Sequence, residues 1–388
     1  SAADIWIQAA SVGESFLAWE VLKRFEPDRP SSLLITTNTR QGMEILQKAV
    51  ADSGSRSADL RLATAYFPFD KPGIMKRAVA HIRPRIMVLL ESELWPGHLA
   101  ALKNVGSRIL VVNGRMSAKS LKGYLRWPGL WHALRPDRVL AVSETDARRF
   151  ATLFGRETVE MMPNIKFDRL AAEPQSETHA SPLASIVSPG VRFVVLGSIR
   201  REEEVQICSL ITSIYDRHPS AVIGLFPRHA DRLGVWMGLL SQERIPWRLR
   251  SETTEPASAG SVVVWDVYGE LADAYRLAVA AFVGGTLAPL GGQNFLEPLI
   301  GGVSPVIGPS WESFHWVGAE IVENGLVRVA QDWREAANIL SQDISRPSRR
   351  PEIREQAARY LRHRRGGTAQ ACRAILEQLR ESRMTNDE

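Results

Sequence analysis

Cysteine is almost missing from this 388-residue sequence: Cys208 and Cys372 are the two, far apart and without C-x-x-C spacing. That excludes a disulfide framework or a clustered zinc site and fits a reducing cytoplasm. Long apolar runs are missing too; none approaches the ~18–20 residues that span a bilayer. The chain opens on SAADIWIQAA, which reads as a core strand rather than a signal peptide, and it lacks an initiator Met. A segment in front is therefore expected to have been trimmed away. No D-x-D triplet occurs, which weakens a metal-dependent reading, and no short-period repeat is present.

What is there belongs to a soluble globular protein. Hydrophobic residues make up 45% and charged residues 23% of the chain, enough to bury substantial cores. The length predicts two domains of roughly 150–200 residues. A formal charge of +5 and a pI near 9.3 favour an anionic partner: a nucleotide, a phosphorylated substrate or a membrane surface.

Strands and helices alternate along the first half, the rhythm of a parallel sheet. DIWIQAA (4–10) reads as a strand, followed by SVGES and a helix with Phe16, Leu17, Val21, Leu22 and Phe25 on one face. Glu14 falls at that helix's N-terminus, where it serves either as a general base or as a favourable first-turn carboxylate. IMVLL (86–90) is a buried strand ending in ESELWP, so Glu91 and Glu93 sit where open α/β sheets bind ligands. Strand alternation places both on one side, a geometry able to chelate a metal. RILVVNGR (108–115) carries Asn113 and Arg115 out of its end. Between 119 and 131, Lys119, Lys122 and Arg126 mix with Tyr124, Trp127 and Trp131, which suits either a membrane interface or a helix with its tryptophans packed inward. Lys166 follows the strand TVEMMP as a candidate cation.

Residues 171–190 are rich in Pro, Ser and Ala and lack periodicity. The boundaries read as residues 1–172, a linker over 173–190, and a second domain over 191–388 whose last helix is free to pack back on the first. In the second half Arg228 and His229 follow the strand AVIGLFP, and Leu277 to Val283 read as a buried strand. The stretch FVGGTLAPLGGQNFLEP then carries two glycine pairs, Gly284-Gly285 and Gly291-Gly292. Such a loop at a strand end can aim free N–H groups at a phosphate. A helix starting near Gln293 would hold Asn294 and Glu297 on its first turn, where a carboxylate can accept ribose hydroxyls. The tail with Arg349, Arg350, Arg354 and RYLRHRRGG is strongly basic, either a solvated surface or a contact with lipid phosphates. Two doubly wound, Rossmann-like α/β domains facing each other across a cleft follow, with nucleotide on the second and acceptor on the first, the logic of a GT-B glycosyltransferase.

Seven ordered motifs carry a closer resemblance: SVGE at 11–14, ESELWP at 91–96, NGRMSAKS at 113–120, NIKFD at 164–168, FPRH at 226–229, YGEL at 268–271 and GGQNFLEP at 291–298. From about residue 5 to about 330 the chain resembles the 3-deoxy-D-manno-octulosonic acid (Kdo) transferases, enzymes of the lipopolysaccharide inner core. The resemblance implies a metal-independent, inverting GT-B enzyme with no cofactor. It would move Kdo from CMP-Kdo to a lipid A precursor at the cytoplasmic face of the bacterial inner membrane. The implied partners are CMP-Kdo, the lipid acceptor and an anionic membrane surface, with no nucleic acid. Residue by residue, Glu14 is similar to the family's general base, and Glu91 and Lys166 to its transition-state stabilisers. Pro227, Arg228, Gly269, Glu270, Leu271, Asn294, Phe295, Leu296 and Glu297 match its CMP-binding segments. Gln293 stands where the family often has His, Ser198-Ile199-Arg200 where it has Ser-Thr-His, and ELWPG replaces ELWPN. The hydrophobic anchor with which family members tend to begin is not in this sequence, which leaves 119–131 and the Phe16–Phe25 helix as membrane-facing candidates. Rival readings are a nucleotide-sugar epimerase of the same fold and a non-catalytic nucleotide- or membrane-binding module, which would give Glu14 and Glu91 no task.

Overall fold

The computed structural model describes residues 2–53, 59–172, 183, 186–188 and 190–384; the expected linker lies mostly outside them. The chain forms two compact units, Ser1–Pro174 with Arg364–Glu388, and Gln175–His363. Residues 364–388 thus lie with the first unit.

The first unit is built on seven parallel strands: β1 (Ile5–Gln8), β2 (Ser31–Thr37), β3 (Leu60–Tyr66), β4 (Ile86–Leu90), β5 (Arg108–Gly114), β6 (Arg138–Ala141) and β7 (Val159–Met161). Their order is β3-β2-β1-β4-β5-β6-β7, so the winding reverses between β1 and β4. Both faces are covered by helices, which is why the central strands are near-continuous apolar runs. Side-chain alternation sends Ile5 and Ile7 to one core with Leu17, Val21 and Leu22, while Trp6 joins Met87, Leu89 and Ile109 in the other.

The C-terminal helix Gly367–Met384 belongs to this unit and adds Ala371, Ile375 and Leu379 to the first of these cores. Its entry is held by Asp168, 2% exposed, which accepts the Gly366 N–H at 2.8 Å, the Thr368 N–H at 2.6 Å and the Thr368 hydroxyl at 2.7 Å. Only glycine fits at 367, because a Cβ there would lie 2.2 Å from the Pro163 carbonyl oxygen.

The second unit repeats the plan with β8 (Phe193–Ile199), β9 (Val222–Pro227), β10 (Trp247–Leu249), β11 (Val262–Val264), β12 (Ala280–Val283), β13 (Val306–Ile307) and β14 (Arg328–Val329). Their order is β10-β11-β9-β8-β12-β13-β14, all parallel, and the winding turns between β8 and β12. The strand expected over Leu277–Val283 begins only at Ala280, because the helix Leu271–Leu277 runs up to it. Among the described residues no helix is long and apolar enough to cross a membrane.

Candidate active site

In the first unit the site is assembled at the point where the winding reverses, outside the carboxyl ends of β1 and β4, where open α/β sheets bind ligands. The helix Val12–Arg24 follows β1 after a three-residue turn. Ser11 caps it by accepting the Glu14 N–H at 3.3 Å, and the Glu14 carboxylate reaches back to the Ala10 N–H at 2.6 Å and the Ser11 hydroxyl at 3.2 Å. This is a variant of the S-x-x-E capping box in which the glutamate returns to the N–H one residue before the cap. It also fixes a carboxylate that is 7% exposed. Burial, then the neighbouring Glu93 and Glu91 charges, raise the Glu14 pKa to about 7 against the opposing hydrogen bonds from Ala10 and Ser11. Cap and base readings of Glu14 are therefore compatible.

Glu91 leaves β4 with a left-handed φ of 57°, a strained conformation for a non-glycine residue. Strand alternation stops at Leu90, yet the charges of Glu91 and Glu93 act on one another and on Glu14. Glu91 accepts Lys166 Nζ at 2.9 Å, with Arg115 Nη1 at 3.8 Å, and Glu93 accepts Trp95 Nε1 at 2.7 Å. Burial, with the Glu91 charge and against the Trp95 hydrogen bond, raises the Glu93 pKa, and burial and then the Glu93 charge raise that of Tyr124. Lys166 opens the helix Lys166–Ala172 and is aimed by two asparagines. The buried Asn113, also at φ 57°, accepts the Ile165 N–H at 2.9 Å, and Asn164 accepts the Lys166 N–H at 3.0 Å. Asn113 and Asn164 act through these backbone hydrogen bonds and Tyr124 packs on Trp131, and only their occurrence within the motifs NGR and NIKFD and in the aromatic stretch hinted at them.

The second unit brings Pro227, Arg228, Gly269 and Leu271 together around a pocket of about 170 Å³ at the carboxyl ends of β9 and β11, joined by Ser198 from β8. Phe226 and Trp265, stacked at 4.2 Å, form its apolar side, and Arg228 is exposed at its mouth. Gly269 turns there with φ 92°. Between Gly269 and Leu271, the Glu270 carboxylate is held by Arg250 through two bonds of 2.8 Å and by Trp265 Nε1 at 2.8 Å.

The glycine loop also departs from expectation. Its N–H groups converge not on open space but on the fully buried carboxylate of Glu203, which accepts Gly285 at 2.5 Å, Thr286 at 2.8 Å and Leu287 at 2.7 Å. The nest that could hold a phosphate is filled by the protein's own anion. The following helix begins at Leu296, not Gln293, so Asn294 precedes it, accepts the Leu296 N–H at 3.2 Å and donates to Glu297 at 2.8 Å. Phe295 and Leu296 are buried, Phe295 against Phe314 at 5.0 Å, so their side chains belong to the core. The structure leaves Asn294 and Glu297 as the polar pair of this segment. Glu203 was missed because the run Glu202-Glu203-Glu204 reads as an acidic helix start.

The membrane-facing candidates separate. In the Phe16–Phe25 helix, Leu17, Val21, Leu22 and Phe25 are buried in the core and Phe16 lies under the Arg169 guanidinium at 3.8 Å, which removes that apolar face as a lipid contact. In 119–131, Trp131 packs inward against Tyr124 at 4.6 Å, while Trp127 is 70% and Leu130 46% exposed.

Residues 1–169 match the family model of the 3-deoxy-D-manno-octulosonic-acid transferases. Over 384 residues the chain is 29% identical to 3-deoxy-D-manno-octulosonic acid transferase of Bordetella pertussis, covering 96% of this chain and 87% of that one. The enzyme of the same name from Haemophilus influenzae is 29% identical over 305 residues, 76% of this chain and 68% of its own. In fold, a glycosyltransferase from Rickettsia africae ESF-5 superposes with a TM-score of 0.60 at 11% identity, covering 98% of this chain and 99% of that one. Two parallel seven-stranded units in one chain, with these relatives, define a glycosyltransferase of the GT-B fold. Within that class the chain is similar to the Kdo transferases, through the family model over residues 1–169 and through these relatives.

Proposed function

We propose that this chain transfers Kdo from CMP-Kdo to a hydroxyl of a lipid A precursor in lipopolysaccharide biosynthesis, by a single inverting displacement without metal. The observation that carries the reading is Glu14, a fixed, buried carboxylate whose pKa of about 7 suits it to accept a proton near neutral pH. The acceptor hydroxyl gives its proton to Glu14 as its oxygen bonds to the anomeric carbon of Kdo. The bond from that carbon to the CMP phosphate oxygen breaks with its electron pair, and one displacement inverts the centre. Lys166, with Glu91 beside it at 2.9 Å, offsets charge on the Kdo carboxylate or the leaving phosphate, and Glu91 supports a developing oxocarbenium ion. Arg228 and the pocket beside Gly269 and Leu271 take CMP, with Asn294 and Glu297 as a second polar contact. These side-chain cations supply the positive charge that a metal would otherwise bring. The acceptor is lipid-borne, and exposed Trp127 and Leu130 beside Lys122 and Arg126 suit an anionic membrane surface, on the cytoplasmic side where the nucleotide sugar is made.

The test is to incubate the protein with freshly generated CMP-Kdo and detergent-dispersed lipid A precursor, chelator present, and to weigh the lipid by mass spectrometry. A gain of Kdo mass that Glu14→Ala abolishes is expected. Unchanged lipid, with CMP-Kdo consumed only at its spontaneous rate, would overturn the reading.

A further inference from the structure

A second polar pocket, of about 210 Å³, lies in the second unit at the opposite edge of the sheet from Arg228 and the glycine loop. Its floor comes from residues at strand starts: Val279 just before β12, Ser304 just before β13, and Arg328, the first residue of β14. Its rim is the segment between the helices Trp333–Ser345 and Arg350–Arg362, with Arg346, Ser348 and Arg349. All strands of the sheet are parallel, so this edge is separated from the carboxyl-end pocket by a strand's length, ~20 Å at about 3.3 Å per residue.

Positive charge here is not balanced. Arg328, Arg346 and Arg349 line the pocket and Arg192, Arg350 and Arg354 reach carbonyls beside it; among the described residues the carboxylates paired with these arginines are Asp343, with Arg328, and Glu352, which accepts Arg349 at 2.8 Å. The others bond to neutral carbonyls: Arg350 to Gly301 at 2.7 Å and Ala278 at 2.6 Å, Arg354 to Gly301 at 3.3 Å, and Arg192 to Arg346 at 3.2 Å. Carbonyl acceptors orient a guanidinium without cancelling its charge. Burial and then the neighbouring Arg354 lower the Arg350 pKa, in keeping with that imbalance. Arg346 is exposed at the rim and makes no ion pair among the described residues.

We propose that this pocket binds a phosphate monoester, with Arg346 and Arg349 closing on its oxygens from the rim and Ser304 and Ser348 offering hydroxyls. Guanidinium forks match phosphate oxygens bidentately. The pocket lies at the strand starts, at the opposite edge of the sheet from the carboxyl-end pocket. The site is therefore additional to the donor pocket and does not depend on the transfer reading. Phosphatidic-acid-like headgroups and soluble phosphate share this chemistry.

The test is titration of the full chain with inorganic phosphate at constant ionic strength against chloride, read by calorimetry and by thermal midpoint. Saturable binding is expected, weakened about tenfold or more in R346A/R349A and unchanged in R40A/R148A, which removes two exposed arginines of the first unit. Both changed side chains are exposed, so the midpoint without phosphate should match the wild type. Sedimentation with phosphatidylcholine vesicles, with and without phosphatidic acid, then identifies the source. Phosphatidic-acid-dependent binding lost in R346A/R349A assigns the site to lipid, and equal vesicle binding by both proteins assigns it to soluble phosphate. A phosphate isotherm no different from chloride, or one that R346A/R349A leaves intact, overturns the proposal.

Discussion

At the scale of the residue, Glu14 couples activity to stability. Its folded pKa of about 7 lies above the ordinary 4.5, so its neutral form is favoured on folding. That stabilisation is fully present below about pH 4.5 and is lost as pH rises through about 7. Glu14→Gln should therefore abolish transfer yet raise unfolding free energy at about pH 8 by roughly 1–3 kcal/mol, the difference vanishing near pH 4. Urea titrations at the two pH values check it, and in the wild type the rate should climb with pH through about 7. Glu203 makes the opposite case. With the Gly285, Thr286 and Leu287 N–H groups on its buried oxygens, Glu203→Ala strands those donors and should cost roughly 3–5 kcal/mol, with weaker CMP binding by calorimetry. Glu91 and Arg228 were legible in sequence because each follows a strand end, visible as an apolar run stopping at a charge, and Glu14 because S-x-x-E marks the start of the next helix. Glu203 and the burial of Phe295 and Leu296 were not, since they depend on what packs around them.

At the scale of the element, NIKFD works as a joint. Asn164 turns the chain, Lys166 is delivered to Glu91, and Asp168 caps the C-terminal helix nearly two hundred residues away. Asp168→Ala removes three hydrogen bonds at a buried helix start and should cost about 1–3 kcal/mol. Hydrogen exchange should quicken first in Gly367–Met384. Equal protection there in the variant would mean that packing alone holds the helix. Lys166 should lose its aim only partly, because Asn113 still holds the Ile165 N–H.

At the scale of the molecule, the second unit is continuous in sequence and the first is not. Ending the chain after His363 strips Ala371, Cys372, Ala374, Ile375 and Leu379 from the first unit's core. At ~1.5–3 kcal/mol for a large buried side chain the loss should exceed roughly 5 kcal/mol and fall on that unit alone. Hydrogen exchange localised to β1, β4 and β5, with β8 and β9 unchanged, is the expected pattern.

The sequence by itself determined the two parallel α/β units, the strand ends that carry charged residues, and the likeness to the Kdo transferases. Those properties are written locally, in apolar runs, turn residues and short motifs read along one stretch of chain. Tertiary structure alone decided that the glycine loop closes on Glu203, that Glu270 is held by Arg250, and that Glu91 is met by Lys166. It also decided that residues 364–388 complete the first unit. Each is a pairing between segments distant in sequence, and which buried donor meets which carboxylate is set by packing, where an unmatched polar group costs more than any local preference can offset.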